Sequence, residues 1–195
     1  MQALTTRERL LQAGLALMLS KGYAATTVDE ICAAAGVSKG SFYHAFPSKE
    51  DLGLAILDDY FQRQMTAYGD GPHRRIADPR ERAFAFLDHV ERTASGVWSS
   101  GCLLGVFALD MAESSPKIQA RLADLFDRMS ASLARLFEPL LPAGKRKSQP
   151  TADELASHFI AMVEGSIVLA KAHQDGSRIV SGIRSFRRYL ECVIR

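Results

Sequence analysis

Cysteine is scarce in this chain: there are only three, Cys32, Cys102 and Cys192, at wide spacing. An odd and dispersed set of this kind is neither a disulfide framework nor a zinc-binding pattern, so we predict no metal site. A membrane-spanning helix needs about 18 consecutive apolar residues, and no apolar run in this sequence is that long. The first residues, MQALTTRERLL, are charged too early for a signal peptide. These absences predict a cytoplasmic protein without a membrane partner.

An excess of charge of one sign is also lacking. The 195 residues carry 24 basic and 22 acidic side chains, which leaves a formal net charge of +2. A surface that binds nucleic acid would therefore have to be local rather than spread over the whole protein. Hydrophobic residues make up 47% of the chain, an ordinary fraction for a globular protein that is long enough to bury a core.

The motifs of common enzyme classes are missing as well. There is no G-x-S-x-G, no H-E-x-x-H and no glycine-rich phosphate loop. Cys102 and His89 can be imagined as a catalytic dyad, but nothing in the sequence orients them. We therefore predict a protein that is not an enzyme and uses no cofactor. An interaction module that does not bind DNA stays open as a different class.

Patterns typical of strands do not occur, whereas helix signals recur along the chain. Proline stands at the expected first helical position after Asp78 and after Ser115. The predicted fold class is all-α with about nine helices, arranged as a three-helix N-terminal head and a C-terminal helical bundle. N-cap residues precede apolar residues at helical spacing at Thr5 or Thr6, Thr27, Ser38, Ser48 and Thr151.

The segment GVSKGSFYHAFPSKEDL, residues 36–52, differs from an ordinary surface helix. Two short helices separated by a turn at Gly36 predict a helix-turn-helix, with a positive φ at that glycine. The second helix would enter the DNA major groove with its N-terminal residues nearest the bases. Lys39 can donate to guanine and Ser41 can bond to any base pair, while Gly40 lets the backbone approach closely.

Phosphate contacts are predicted around the same segment. Thr27, Tyr43, His44 and Lys49 are positioned to bond phosphates, and the helix N-termini add backbone amides. Ser38 caps the second helix and completes the predicted DNA-binding set. A polar face on a short helix is also compatible with simple solvation, so the pattern by itself leaves both interpretations open.

The run TTVDEICAAAGVSKGSFYHAFPSKEDL resembles the N-terminal signature of the TetR family of bacterial transcriptional regulators. The likeness covers about residues 5–60, and A-G-V-S, S-F-Y-x-x-F and S-K-E-x-L fall at family spacing. It implies an operator-binding head at residues 1–47 and a ligand-binding and dimerisation domain at residues 48–195. It implies a palindromic double-stranded operator as partner. It also assigns base contacts to Lys39, Gly40, Ser41 and Tyr43 and phosphate contacts to Thr27, His44 and Lys49. Cys32, where the family usually has alanine, is interpreted as a buried small apolar residue.

A set of apolar residues in the rest of the chain predicts a ligand site. The family resemblance implies a cavity enclosed by the fourth to eighth helices, and Trp98 and Phe107 are the first residues expected to line it. Aromatic and methionine side chains suit a small apolar or aromatic inducer, to which His89 or His173 could add polarity. The predicted ligand-binding residues are Met65, Phe86, Trp98, Cys102, Phe107, Met111, Phe126 and Phe159.

Cys102 allows a second interpretation. The run GCLLG followed by A-x-D-x-A-E, within residues 101–113, resembles a NemR-like branch of the family, some members of which sense electrophiles or oxidants through a cysteine here. A helix N-terminus would favour the thiolate, whereas a packed thiol that acts as a small apolar residue is the more common arrangement. The predicted function is a repressor released from its operator by a small apolar or aromatic ligand. The alternative is an electrophile- or redox-sensing repressor that acts through Cys102.

The last two predicted helices, about residues 152–173 and 177–193, carry apolar stripes wide enough to face both the bundle and a partner. The family resemblance implies that they pair across a two-fold axis, which predicts a homodimer through residues 152–193. Gly165 and Ser166 would permit a close approach of helices. The basic loop at 144–147 is interpreted as solvated.

Overall fold

The computed structural model describes residues 4–111, 113–142 and 149–194, so the basic loop at 144–147 lies outside the described residues. Nine α-helices follow one another, and no strand occurs within those ranges, which confirms the predicted all-α fold. Two short 3₁₀ turns, Pro72–Arg75 and Glu138–Leu140, were not predicted. The helices are α1 Thr6–Lys21, α2 Val28–Ala35, α3 Lys39–Ala45, α4 Lys49–Gly69, α5 Pro79–Val97, α6 Leu103–Met111, α7 Pro116–Phe137, α8 Ala152–His173 and α9 Ser177–Val193.

Local capping determines where most of these helices begin. In α1, α2 and α8 a threonine accepts a hydrogen bond from the amide three residues on, and the glutamate at that position bonds back to the threonine amide. Asp78 caps α5 by accepting a hydrogen bond from the Glu81 amide, with Pro79 in the first turn. An N-cap of this kind stabilises a helix by about 0.5–2 kcal/mol relative to alanine. The predicted helix starts are therefore confirmed, since short-range contacts set them.

The described chain divides into two compact units. Residues up to Arg63 together with Cys102–Asp124 form the first unit, and Gln64–Gly101 with the chain from Leu125 onward forms the second. The first unit therefore adds α6 and part of α7 to the N-terminal helices, which the linear division at residue 47 does not anticipate. That division stays a prediction about function.

In the first unit, α1 packs against α2, α3 and α6. Two glycines make the turns of the head possible: Gly22 ends α1 with φ +87°, and Gly36 ends α2 with φ +63°. The predicted positive φ at Gly36 is thus confirmed, as is the burial of Cys32. The fully buried side chains of this unit include Leu10, Met18, Ile31, Phe42, Leu52 and Phe107.

In the second unit, α9 packs against both α5 and α8. Helices α8 and α9 approach closely at Gly182, where a Cβ atom would come within 2.0 Å of Ser166 Oγ. The close approach of helices predicted at Ser166 therefore occurs between α8 and α9 of the same chain. Gly165 is exposed and has no other atom within 4 Å of the position a Cβ would take. The core of this unit includes Leu87, Val90, Phe137, Leu155, Phe186 and Leu190.

Among the described residues, α8 is the one helix whose length and mean hydropathy would also suit a membrane span. Its apolar residues have another use, because Leu155, Phe159, Val163 and Ile167 are buried within the second unit. The composition of α8 is accordingly that of a core helix.

Candidate functional site

Helix α3 is anchored by one aromatic side chain and displays polar groups on the outside. Phe42 is fully buried, and its ring meets that of Tyr43 edge-on with centroids 5.2 Å apart. Tyr43 itself is 50% exposed, and Lys39 and His44 are exposed as well. The outer face predicted from the sequence is therefore presented to solvent, where a nucleic acid could reach it.

The first turn of α3 is held in place by serine side chains. Ser38 Oγ accepts a hydrogen bond of 3.1 Å from the Ser41 amide, and the two hydroxyl oxygens are 2.9 Å apart. Around Gly40 the nearest atom to a Cβ would be Ser38 Oγ, at 3.8 Å. A side chain at Gly40 would thus meet nothing in the protein, and its absence leaves the start of α3 open to a ligand backbone.

Lys39 is oriented by an acidic residue of α2. Its Nζ atom lies 2.8 Å from Asp29 Oδ1, and the two side chains are 56% and 72% exposed. The hydrogen bond to Asp29 and the charge of that carboxylate raise the pKa of Lys39. The ammonium group is therefore cationic at neutral pH and is held beside the first turn of α3.

Thr27 and Glu30 form a capping pair that Lys21 extends. The Thr27 hydroxyl donates to the Glu30 carboxylate at 2.8 Å and accepts from the Glu30 amide at 3.3 Å. Lys21 Nζ lies 2.6 Å from the same carboxylate, and the bonds from Lys21 and Thr27 lower the pKa of Glu30 to about 2. To donate to a phosphate, the Thr27 hydroxyl would have to break its hydrogen bond to the Glu30 carboxylate. The phosphate contact of Thr27 stays a prediction.

Lys49 makes contacts that the sequence did not suggest. Its Nζ atom donates to the backbone carbonyls of Tyr23 at 3.1 Å and Thr26 at 2.8 Å, and it lies 4.2 Å from the centre of the Tyr23 ring. Burial lowers the pKa of Lys49. Two of the three N–H groups of the ammonium are thus used within the protein. Lys49 ties the start of α4 to the loop between α1 and α2, and its phosphate contact stays a prediction.

Tyr23 is also held by α6. Its backbone N–H donates to Asp110 Oδ2 at 2.9 Å, and its ring centroid lies 5.1 Å from that of Phe107. Gly53 of α4 completes the contact, since a Cβ there would come within 2.8 Å of the Tyr23 ring. We call Tyr23, Lys49, Phe107 and Asp110 the Tyr23 clasp. Sequence reasoning missed it, and the one available signal was an acidic residue, Asp110, at the end of an apolar helix.

The start of α7 contacts the first turn of α4 in the same unit. The Ser115 hydroxyl donates to Glu50 Oε1 at 2.5 Å and also accepts from the Ile118 amide at 3.2 Å, so it caps α7. Lys117 Nζ lies 3.4 Å from the other oxygen of Glu50. Both α6 and α7 therefore make polar contacts to the segment that carries the helix-turn-helix.

The eight predicted ligand residues fall in both compact units. Cys102 and Met111 are half-buried in the first unit, where Phe107 belongs to the Tyr23 clasp. In the second unit Phe86 and Phe159 have ring centroids 6.1 Å apart. The remaining members of the second unit are Met65 and Phe126, which are half-buried, and Trp98, which is 9% exposed. The role of this set in ligand binding stays a prediction.

Three of the second unit's aromatic side chains meet two histidines. The rings of Tyr68 and Trp98 are stacked with centroids 5.9 Å apart, and Phe86 lies 6.4 Å from Tyr68. His73 meets Phe86 edge-on at 5.3 Å and lies 6.3 Å from His89. We call Tyr68, His73, Phe86, His89 and Trp98 the His73 cluster. It contains the single tryptophan of the chain.

His73 and Tyr68 are the residues of this cluster that sequence reasoning did not place in the ligand site, and His73 is the more buried of the two. It lies in the 3₁₀ turn Pro72–Arg75 and is only 7% exposed. Its Nδ1 atom is buried and has no hydrogen-bond partner in the described structure. Burial, together with the neighbouring His89, Arg74 and Arg82, lowers the pKa of His73, which favours the neutral imidazole. His173, the other histidine considered as a polar contact, is exposed at the end of α8.

Two family models match this chain. One, described as bacterial regulatory proteins of the tetR family, covers residues 10–56, and the other, described as the C-terminal domain of LmrA/YxaF-like transcriptional regulators, covers residues 79–181. The transcriptional regulator AcuR from Cereibacter sphaeroides is 34% identical over 186 residues, which are 93% of this chain and 84% of AcuR. The chain belongs to the TetR family. It is accordingly a DNA-binding transcriptional regulator and not an enzyme.

Other members of the TetR family show the same likeness. The HTH-type transcriptional repressor DhaR from a Mycobacterium species is 27% identical over 87% of this chain and 84% of DhaR. The repressor NemR from Escherichia coli is 31% identical over 66% of this chain and 59% of NemR. Among solved structures, a regulatory protein TetR from Rhodobacter sphaeroides has a TM-score of 0.77 and 31% identity and covers 94% of this chain and 97% of its own. A TetR transcriptional regulator from Legionella pneumophila has a TM-score of 0.80 and 25% identity and covers 97% of this chain and 99% of its own.

Proposed function

We propose that this TetR-family regulator is a homodimeric repressor that binds a palindromic operator through α2 and α3 and is released by a small apolar or aromatic ligand. The observation that carries the DNA-binding part is the outer face of α3, where Lys39, Tyr43 and His44 are exposed above the buried Phe42. Ser38 and the open position at Gly40 let the first turn of α3 approach base edges.

Within this interface, Lys39, Gly40, Ser41 and Tyr43 contact bases. The Lys39 ammonium stays charged and donates to guanine once it leaves Asp29. Phosphates are bound by His44 and by the helix N-termini. Thr27 and Lys49 add phosphate contacts after giving up their hydrogen bonds to Glu30 and to the Tyr23 and Thr26 carbonyls. The interface is small and locally basic, as the balanced total charge requires.

An unpartnered apolar face on α8 supports the homodimer. Val168 and Leu169 are 58% and 51% exposed, and Gly165 on the same helix is open to solvent. Tyr189 of α9 is 38% exposed. Large apolar side chains at this exposure are typical of a surface that a partner covers. A two-fold axis through it would give two recognition helices for two half-sites of a palindrome.

Release by a ligand requires differential affinity for the two states of the protein. Helix α4 is continuous from Lys49 to Gly69, so it begins in the first compact unit and ends in the second. A helix of this length spans about 30 Å and transmits a tilt as a rigid body. A ligand bound near Met65 or Trp98 would move the start of α4 through this helix, and with it the Lys49 contact to the head.

The experiment for DNA binding measures anisotropy of labelled DNA from the promoter region next to the gene. Lys39→Ala should weaken a specific site by about 1–3 kcal/mol and relax its base preference. Arg63→Ala is a charge-matched control, because Arg63 is an exposed residue of α4 paired with Asp59 as Lys39 is with Asp29. Equal losses in the two variants, or no loss with Lys39→Ala, would remove Lys39 from the base-reading set.

The experiment for the dimer is sedimentation of Val168→Glu with Leu169→Glu. Both residues are exposed, so the charges should separate protomers without disturbing the core. Leu109→Glu on α6 is the control, since Leu109 is 85% exposed and lies outside α8 and α9. Monomeric wild-type protein at micromolar concentration would contradict the homodimer.

The experiment for release compares ligand affinity with and without operator DNA. Linkage requires that the operator weaken ligand binding by the factor by which the ligand weakens operator binding, typically a coupling of about 1–3 kcal/mol. Equal ligand affinities in the two conditions would exclude this mechanism.

Cys102 supports a second candidate, release by an electrophile or oxidant. It directly precedes α6, its carbonyl accepts the Val106 amide at 3.0 Å, and the side chain is half-buried. A solved structure of the relative NemR, 22% identical to this chain, shows the reduced form of NemR. The redox state is a property of NemR and is not shown for this chain. If the Cys102→Ser protein is still released from DNA by the inducer, thiol chemistry is excluded as the trigger.

A further inference from the structure

We propose that the His73 cluster binds the carboxylate of a small organic acid with a flat apolar body. That this acid is also the ligand that releases DNA rests on the function proposed above. The binding site itself lies within the second compact unit and needs no DNA.

The Nδ1 atom of His73 is buried without a hydrogen-bond partner among the described residues. The His73 side chain is only 7% exposed. Buried polar atoms in native proteins are nearly always paired, so an orphaned atom calls for an explanation such as a missing ligand. A neutral imidazole with its proton on Nδ1 would donate to a ligand oxygen. Gly71 packs closely against the imidazole, because a Cβ there would lie 2.6 Å from Nδ1 and 3.2 Å from Cδ2 of His89.

The groups that surround His73 are basic. His89, Arg74 and Arg82 all lower the pKa of His73, after its burial. Arg74 is neutralised by Asp70 at 2.8 Å. Arg82 instead donates to the carbonyl oxygens of Ile76 and Ala77, and no carboxylate is paired with it in the described structure. The Arg82 guanidinium is therefore a positive charge near the cluster that an anion would complement.

Aromatic side chains adjoin the two histidines. Phe86 meets His73 at 5.3 Å, Tyr68 lies 6.3 Å from His89, and the rings of Tyr68 and Trp98 are stacked. Aromatic faces at this spacing suit a compact, flat body. A carboxylate at His73 with its body against Tyr68 and Trp98 would satisfy both the polar and the apolar part of the cluster.

Binding of an anion stabilises the protonated imidazole, so complex formation raises the pKa of His73 and takes up a proton. The titratable and charged groups around His73 are His89 and Arg82 of α5 and Arg74 of its own turn, which is paired with Asp70; Tyr68 of α4 contacts His89. The affinity for an acid should therefore increase as the pH falls from about 8 to about 6, where histidine becomes protonated. A neutral analogue should show no such trend.

The experiment follows the fluorescence of Trp98, the single tryptophan, in the full-length protein. Benzoate and butyrate are titrated beside their amides, benzamide and butyramide. We expect a saturable change with at least one acid and at least about tenfold weaker binding of its amide. His73→Phe, which keeps a ring but removes both nitrogens, should abolish this preference for the acid. His173→Phe is the matched control and should leave it unchanged.

The proposal is overturned if acid and amide bind equally, if His73→Phe keeps the preference, or if neither acid binds up to about 10 mM. Should His73→Phe fail to fold, the pH series on the wild-type protein decides, and a flat benzoate affinity overturns the site. The same titration with operator present separates the claims: an acid that binds without changing operator affinity overturns its regulatory role. Absence of any operator binding defeats the proposed function, while the titration still decides the site.

Discussion

The backbone N–H of Tyr23 donates a 2.9 Å hydrogen bond to the carboxylate of Asp110, 87 residues further along the chain. The bond ties α6 to the loop that precedes the helix-turn-helix. Gly22 permits it in two ways, because its φ of +87° suits glycine and a Cβ there would come within 2.5 Å of the same carboxylate oxygen. The position of the DNA-binding helices is therefore linked to a helix from the second half of the sequence.

Asp110→Ala should destabilise the protein by about 1–2 kcal/mol, because the Tyr23 N–H loses its acceptor. Asp110→Asn, which keeps an acceptor oxygen, should cost less. Chemical denaturation followed by circular dichroism measures the difference. Asp127→Ala, at an exposed acidic residue of α7, is the control, and an equal effect of the two alanine variants would show that the bond contributes nothing.

Asp29→Asn should increase operator affinity at low salt. The substitution removes a negative charge from the neighbourhood of the phosphates and releases Lys39, whose Nζ lies 2.8 Å from Asp29. Both effects are electrostatic at an exposed site, so the gain should fade as the salt concentration rises. Anisotropy titrations at several salt concentrations measure it, and unchanged or weaker binding at low salt would argue against contact between this face and DNA.

Glu30 should make stability depend on pH in the acid range. Its folded pKa of about 2 lies below the usual 4.5, so the folded state favours the charged carboxylate. The contribution is complete above about pH 5 and is lost as the pH falls towards 2. Glu30→Gln should flatten this part of the profile of denaturation midpoint against pH. Glu113→Gln, at an exposed glutamate in the first unit, should keep the wild-type slope. Parallel profiles for wild type and Glu30→Gln would contradict the assignment.

Gly182→Ala should destabilise the protein by about 1–3 kcal/mol, although alanine favours helices. The added Cβ would lie 2.0 Å from Ser166 Oγ and 2.8 Å from Met162 Sδ, which forces α8 and α9 apart. Gly96→Ala in α5 meets no atom within 4 Å and should be neutral or slightly stabilising. Thermal unfolding of the two variants compares them, and a stable Gly182→Ala protein would mean that the crossing can relax.

Much of the site could be predicted because its determinants are short-range. Thr27 with Glu30, and Ser38 with Ser41, are three residues apart, and their hydrogen bonds set the starts of α2 and α3. The outer face of α3 follows from helical periodicity around Phe42. The contacts of Lys49 could not be predicted, because its partners are carbonyls 23 and 26 residues away and nothing in their side chains marks them.

The sequence by itself determined the all-α class, the starts of most helices, the helix-turn-helix and the resemblance to the TetR family. Each of these features depends on residues that are close along the chain or on a motif of fixed spacing. Such patterns can be recognised without knowing how the helices pack. The tertiary structure alone decided that Asp110 holds Tyr23, that α6 joins the compact unit of the head, and that His73 is buried beside His89. These contacts depend on which helices pack together in the folded chain. That packing also decides whether a polar side chain is buried.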